Sequence, residues 1–216
     1  MGTSINTVLK AGNGEYEEKR SRFISWVYTI NTEDEAAKLI SGLKKKYWAA
    51  RHHCYAYVID GDMKTQKFSD DGEPSGTAGL PILEIIKKKD LSNVLVVVIR
   101  YFGGILLGAS GLVRAYGKAA LAGILDAQII TKKECLIVNI NVDYHIYGKI
   151  QNFINTNKLP VRDTRYTDRV EMELIIEEEK MEFFQKELDD ITGGNADTKT
   201  IGKIFAGFDE NGNFTG

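Results

Sequence analysis

The sequence predicts an α+β protein with two domains, and three observations support this prediction. A β-branched run over 94–99, followed by Arg100 and a glycine-rich stretch, is typical of a strand that is buried on both faces and leads into a helix. After residue 132 the hydrophobic periodicity alternates between strand and helix in the order βαββαβ. The charge divides at the same place: residues 1–132 carry 18 lysines and arginines against 14 aspartates and glutamates, and residues 133–216 carry 10 against 16.

Composition limits the classes of protein to which the chain can belong. With 216 residues, 43% of them hydrophobic and 27% charged, it resembles an ordinary soluble globular protein. The two cysteines, Cys54 and Cys135, lack metal-ligand spacing and indicate reduced thiols. The first residues do not form a signal segment, and the longest apolar run is far too short to span a bilayer. We therefore expect a cytoplasmic protein without membrane contact, and neither charge excess by itself implies nucleic-acid binding.

The first domain, residues 1–131, is predicted to alternate between strands and amphipathic helices. Thr32 offers an N-cap, and Glu35 completes a capping box for a helix that ends at about Tyr47. The segment 69–81 is rich in turn-forming residues and is predicted to be a loop. The predicted strands cover 22–30, 54–59, 64–68 and 94–100, and the later helices cover 82–89 and 111–126.

The second domain, residues 132–206, is predicted to have the ferredoxin-like arrangement. Its strands are expected over 135–142, 161–166, 170–176 and 196–205, and its helices over 144–156 and 180–191. Residues 207–216 offer little to bury and are predicted to be a flexible tail.

The stretch that follows the buried strand is a candidate anion site. Glycines allow a tight turn, and the helix after it presents N–H groups that lack intrahelical partners. Arg100 and Arg114 flank this turn, and a guanidinium suits phosphate well. Ala109 stands where the phosphate-binding lysine of a P-loop would be, which disfavours a P-loop and leaves another nucleotide or phosphate site as an alternative. The alternatives are a turn that only lets the helix approach the sheet, and an arginine that forms an ion pair with the acidic loop.

That acidic loop contains Asp70, Asp71 and Glu73 within four positions. These carboxylates suit Mg²⁺ or general acid–base chemistry, although we predict no cofactor. The alternative is ordinary loop shaping, with Ser75 or Thr77 capping the next helix.

A third candidate is the run Arg51, His52 and His53, which follows three lysines and enters a strand. Alternation places His52 and Cys54 on one face of that strand and His53 on the other. The run predicts either a basic edge that contacts phosphate or a helix end that complements the helix dipole, and it lacks the ligands for zinc. Ser75, His53 and Asp71 supply the residue types of a hydrolase triad, but the nucleophile elbow does not occur.

Taken together, these three features define the residues that we predict to bind a ligand. They are Arg51, His52, His53, Asp70, Asp71, Gly72, Glu73, Ser75, Gly76, Thr77, Arg100, Tyr101, Gly103, Gly104, Ser110 and Arg114.

Several of these segments resemble the IMPACT family, in particular its bacterial, YigZ-type branch. The segments are SDDGEPSGTAGLP at 69–81, RYFGG at 100–104, LGASGLVRAY at 107–116 and HHCYAY at 52–57. The resemblance implies a ribosomal protein S5 domain 2-like first domain and a second domain similar to a late domain of elongation factor G. It also implies regulation of translation, since eukaryotic members compete for the activator of a starvation-responsive initiation-factor kinase. Those members carry a different accessory domain, and the bacterial branch has no settled reaction.

We therefore predict a translation-linked regulatory or binding protein rather than an enzyme. Its first domain is expected to contact RNA, the ribosome or another phosphate-bearing partner, without sequence-specific readout of DNA. The acidic second domain is expected to contact protein. The alternatives are a metal-dependent hydrolase or phosphotransferase that uses Asp70, Asp71 and Glu73, and a protein-binding adaptor.

Overall fold

The computed structural model describes residues 4–60 and 64–216, which fall into two compact units. One unit is Ile5–Ile130 and the other contains Thr131–Gly216. Among the described residues, none of the helices combines the length and the apolar character that crossing a bilayer requires.

The first unit contains an antiparallel five-stranded sheet with helices on both faces. Its elements are β1 (Ser4–Val8), β2 (Gly12–Glu18), β3 (Ser21–Thr29), α1 (Glu33–Lys46), β4 (His52–Ile59), β5 (Thr65–Ser69), α2 (Gly79–Lys88), β6 (Val94–Tyr101) and α3 (Gly108–Ala127). The sheet has the strand order β2-β3-β6-β4-β5, and every neighbouring pair is antiparallel.

The central strand β6 is buried on both faces, as its β-branched sequence predicts. Val94, Val96 and Val98 pack in one core with α2 and α3. Leu95, Val97 and Ile99 pack in a second core with α1. Because side chains alternate along a strand, the next residue, Arg100, lies on the face that α2 and α3 cover.

Strands β1 and β2 were not predicted from the sequence. β2 reads GNGEYEE, and glycine and glutamate are both depleted in strands. Its pairing with β3 and its close approach to α3 provide the stabilisation that local propensity lacks. A Cβ on Gly14 would lie 2.6 Å from the backbone nitrogen of Gly123 in α3, so glycine is required at this contact.

The second unit has the ferredoxin-like order that the sequence predicts. Its elements are β7 (Ile129–Val142, which begins in the first unit), α4 (Tyr144–Thr156), β8 (Val161–Tyr166), β9 (Val170–Glu177), a 3-10 turn (Glu178–Lys180), α5 (Met181–Thr192) and β10 (Asp197–Phe208). The strands are antiparallel in the order β10-β7-β9-β8. Ile150 and Phe153 of α4 and Phe184 and Leu188 of α5 pack on one face of this sheet.

Residues 207–216, for which the sequence predicts a flexible tail, begin within the last strand of the second unit. β10 continues to Phe208, which pairs with Thr131 of β7. Asp209 then accepts hydrogen bonds from the backbone N–H groups of Asn211 and Asn213, and the chain turns back on β10. The rings of Phe208 and Phe214 meet at a centroid distance of 6.1 Å. A side chain–backbone turn and one aromatic contact therefore connect this segment to the end of β10.

Candidate ligand-binding site

The loop between β5 and α2 is organised by Asp70. One carboxylate oxygen accepts the N–H groups of Ala78 at 3.0 Å and Gly79 at 2.8 Å, and the other accepts that of Gly76 at 2.9 Å. Asp70, nine residues upstream of Gly79, therefore provides the hydrogen-bond acceptor for N–H groups at the start of α2. This corrects the expectation that Ser75 or Thr77 caps the helix.

The two residues expected to cap α2 have other places in the structure. Thr77 is buried, and its hydroxyl donates to the carbonyl of Pro74 at 2.6 Å. Ser75 is exposed. A triad built on Ser75 is not supported, because His53 Nε2 is buried without a hydrogen-bond partner among the described residues, and Asp71 binds Lys44 and the backbone N–H of His53.

Asp71 connects this loop to α1 and β4. Its carboxylate accepts hydrogen bonds from Lys44 Nζ at 2.8 Å and from the backbone N–H of His53 at 2.7 Å. Partial burial favours the neutral acid, but these hydrogen bonds outweigh it and lower the pKa of Asp71. Its backbone has φ of +41°, and its carbonyl oxygen lies 2.9 Å from His52 Nδ1. Asp71 thus shapes the loop, and the exposed Gly72 follows beside the His52 ring.

Glu73 and Arg100 form a buried ion pair. Arg100 Nη1 donates to Glu73 Oε1 at 2.7 Å, and the exposed fractions of the two side chains are 7% and 3%. Tyr116 of α3 donates its hydroxyl to the same carboxylate oxygen at 2.7 Å. Burial raises the pKa of Tyr116, with Cys54 and Glu73 adding to the effect, so Tyr116 stays protonated as a donor.

Arg100 consequently does not have the free guanidinium that the sequence analysis assigned to a ligand. The alternative considered there, an ion pair with the acidic loop, is the arrangement observed. Its Nε is buried and lacks a hydrogen-bond partner among the described residues. Arg114 is exposed on α3 and does not line the cleft described below.

The three acidic side chains are therefore all occupied by donors of the protein. Asp70 binds backbone N–H groups, Asp71 binds Lys44 and His53, and Glu73 binds Arg100 and Tyr116. Within residues 4–60 and 64–216, groups of three or more His, Cys, Asp or Glu side chains placed to hold a metal do not occur. The geometry gives no support to the hydrolase or phosphotransferase alternative.

The glycine turn after β6 is fixed against β3. The N–H of Gly103 donates to Ser21 Oγ at 3.2 Å, and a Cβ on Gly103 would lie 2.0 Å from the carbonyl carbon of Arg20. Gly104 has φ of +81°, which favours glycine. Helix α3 begins at Gly108, three residues before the predicted start, and therefore includes Ser110 in its exposed first turn.

The positive end of α3 is not neutralised by a side chain of its first turn. No side chain caps it, and it contains no acidic residue. The first N–H groups of a helix lack intrahelical partners and carry the positive end of the helix dipole.

The acidic loop, the end of β6 and the start of α3 border one cleft with a volume of about 390 Å³. Most of its lining is apolar, from Pro74, Phe102, Leu106, Leu107 and Leu112. The charged or polar contribution comes from Arg51, His52 and the Glu73–Arg100 pair, and Gly108 and Ala109 contribute the helix start. Two loops that are distant in sequence therefore meet at one concave site.

Only four of the predicted ligand-binding residues line this cleft: Arg51, His52, Glu73 and Arg100. His53 and Tyr101 lie on the opposite face of the sheet by strand alternation, and burial lowers the pKa of His53. The other predicted residues shape the two loops or lie on α3.

The apolar residues of the cleft were not among the residues predicted from the sequence. Phe102 and Leu106 are large apolar side chains within a segment assigned to a glycine turn, and both are substantially exposed. An apolar run inside a turn was the available signal, because loops ordinarily carry polar side chains.

The fold and the cleft define a protein with two α+β domains whose first domain presents a ligand-sized concave site. Residues 19–124 match the Impact N-terminal domain, and residues 140–195 match a domain of unknown function, DUF1949.

The chain belongs to the IMPACT family. It is 42% identical to "IMPACT family member YvyE" of Bacillus subtilis over 91% of this chain and 90% of that protein. It is 30% identical to "IMPACT family member YigZ" of Escherichia coli over 83% of this chain and 89% of that protein. A crystal structure described as that of a hypothetical protein superposes with a TM-score of 0.57 at 28% identity, covering 92% of this chain and 98% of that one.

Proposed function

We propose that this protein is a cytoplasmic, translation-linked regulatory or binding protein, and that its first unit contacts a phosphate-bearing partner, RNA or the ribosome. The observation that carries the proposal is the cleft in which Arg51 and His52 lie beside the uncapped start of α3. Membership of the IMPACT family supports the link to translation, because the eukaryotic members of that family regulate it.

The charge of the cleft favours an anion. Glu73 is the acidic residue of its lining, and Arg100 neutralises it at 2.7 Å. Arg51 is exposed at the cleft, and the positive end of α3 adds to its field.

The second unit is proposed to contact protein rather than RNA. Residues 133–216 carry 16 acidic against 10 basic residues, and a negative surface repels a phosphate backbone. Several of its basic side chains are paired, as Arg169 is with Asp143 and Asp197. The unit therefore offers an acidic surface to a basic partner.

The test is a filter-binding titration of RNA against salt with the full chain. Binding through phosphates should weaken as the salt concentration rises, because each neutralised phosphate releases counterions. Arg51→Ala should weaken binding and reduce the slope of log affinity against log salt by about 1. Arg114→Ala is the matched control, since Arg114 is also an exposed arginine of the first unit but does not line the cleft.

Absence of RNA retention at low salt, or an affinity that does not respond to salt, would overturn the proposal. Equal effects of the two arginine substitutions would show that the cleft is not where phosphate binds.

A further inference from the structure

We infer, on the basis of the proposed function, that the cleft binds one unstacked base of single-stranded RNA. The base lies against Phe102, and the adjoining phosphate lies at Arg51 and the start of α3. The base would then account for the apolar part of the site, which phosphate contact alone leaves unexplained.

The apolar lining of the cleft is exposed to solvent. Phe102 is 49% exposed and Leu106 is 82% exposed. Exposing such side chains together is unfavourable in water, and a phosphate ion gains nothing from them. A flat heteroaromatic base gains stacking and burial there, and every base has a π-face.

Phe102 lies beside a buried cation. The guanidinium carbon of Arg100 lies 5.5 Å from the centroid of the Phe102 ring. This cation is fixed, because Glu73 holds it in a buried ion pair. The ring is therefore supported on one side by an immobile cation and is half-exposed, which gives a pre-organised surface for stacking.

The start of α3 offers a place for the phosphate. Gly108 and Ala109 line the cleft at the start of α3, where side-chain caps and acidic residues are both lacking. A second, independent feature lies in the same cleft: Arg100 is only 6% exposed, and its Nε has no hydrogen-bond partner in the described part of the chain. Because Glu73 neutralises Arg100, the net positive charge beside the apolar surface comes from the exposed Arg51 and the start of α3.

Size and shape favour a single strand over a duplex. The volume of about 390 Å³ is at the lower end for small-ligand sites. Bases within a duplex are stacked on each other and do not present a free face, whereas single strands can turn a base outward. The occupant that combines a flat base with an adjoining phosphate is one nucleotide of a single strand.

The test is fluorescence anisotropy of the full chain with a short labelled oligouridine or oligoadenosine, the matching RNA duplex, and AMP as a competitor. Phe102→Ala should weaken single-strand binding by about 5- to 150-fold, the range expected for loss of one base–aromatic stack. The salt slope should stay unchanged, because no phosphate contact is removed. Leu125→Ala is the matched control, since Leu125 is a 58% exposed apolar residue of α3 outside the cleft.

Phe102→Leu keeps an apolar side chain without an aromatic ring and serves if the alanine variant does not fold. It should also weaken binding of the single strand. Wild-type affinity for the single strand should exceed that for the duplex, and AMP should compete only weakly.

Unchanged affinity in both Phe102 variants, with a normal salt response, would overturn this inference and leave the proposed function standing. Tighter binding of the duplex, or AMP binding as tightly as the strand, would also overturn it. Failure of the wild-type chain to bind any RNA at low salt would overturn the proposed function, and the inference with it.

Discussion

Arg100 and Glu73, which are 27 positions apart, form an ion pair of 2.7 Å that is almost completely removed from solvent. The pair joins the end of the central strand to the acidic loop, and Tyr116 adds α3 through the same carboxylate oxygen. Three segments that border the cleft are thus connected by one carboxylate. Arg100, which follows the buried strand directly in the sequence, therefore has a structural role.

Glu73→Gln should destabilise the protein strongly, because it leaves the charge of Arg100 buried and uncompensated. Removing one partner of a buried pair costs about 3–5 kcal/mol. The free energy of unfolding, from urea titration, measures this. Glu15→Gln is the control: Glu15 pairs with Arg22 at 2.6 Å, but both side chains are more than half exposed, so the expected cost is below about 1 kcal/mol. Similar costs for the two variants would contradict the structural role of the buried pair.

Asp70→Ala should destabilise the start of α2 by removing the acceptor of three backbone N–H groups. Loss of a helix N-cap costs about 0.5–2 kcal/mol, and we expect the upper part of this range. Urea unfolding measures the cost. Glu84→Ala, an exposed position within α2, should be close to neutral. A larger loss for Glu84→Ala than for Asp70→Ala would refute the capping role.

Asp71 should make stability depend on pH in the acidic range. Its pKa is lower in the folded protein than the value of about 3.9 for an unperturbed aspartate. The unfolded chain therefore binds the proton more readily, so the stabilisation is complete above about pH 4 and is lost as the pH falls through the folded-state pKa.

Urea unfolding of the wild type and of Asp71→Asn at a series of pH values checks this. The stability difference should be constant near neutrality and should shrink below about pH 4. Lys44→Met removes the cation that donates at 2.8 Å and should reduce the same dependence. Parallel pH profiles for wild type and Asp71→Asn would contradict the assignment.

Gly103→Ala should destabilise the first unit and displace the turn before α3. Its Cβ would lie 2.0 Å from the carbonyl carbon of Arg20, which is backbone and cannot rotate away. Thermal unfolding should show a lower midpoint, and RNA titration should show a lower affinity. Gly42→Ala in α1 has nothing within 4 Å of the added Cβ and should stabilise by about 0.5–1 kcal/mol through helix propensity. Equal thermal midpoints for the two variants would show that the turn tolerates a side chain.

Much of the fold could be predicted because its elements carry a strong local periodicity. The bounds of α4 and β8 agree with the prediction to the residue, and β6 and α1 agree within one or two residues. β2 could not be predicted, since its glycines and glutamates favour other conformations and only pairing with β3 and contact with α3 make it a strand.

The candidate site was only partly predictable. Its two loops were identified from turn residues and charge. The sequence did not distinguish side chains that are free to donate to a ligand from those that donate to other residues of the protein. Arg51 and Arg100 are chemically alike, yet one is exposed at the cleft and the other is paired in the interior. The apolar surface around Phe102 was missed because turn chemistry explained the same segment.

By itself the sequence determined most of the elements, the ferredoxin-like order of the second domain and the buried character of β6, because these depend on residues two to four positions apart in the chain. Only the tertiary structure decided that Arg100 faces α3 and meets Glu73, that Asp70 caps α2, and that two distant loops enclose one cleft. Those outcomes depend on strand order and on contacts between segments far apart in the chain, which local periodicity does not encode.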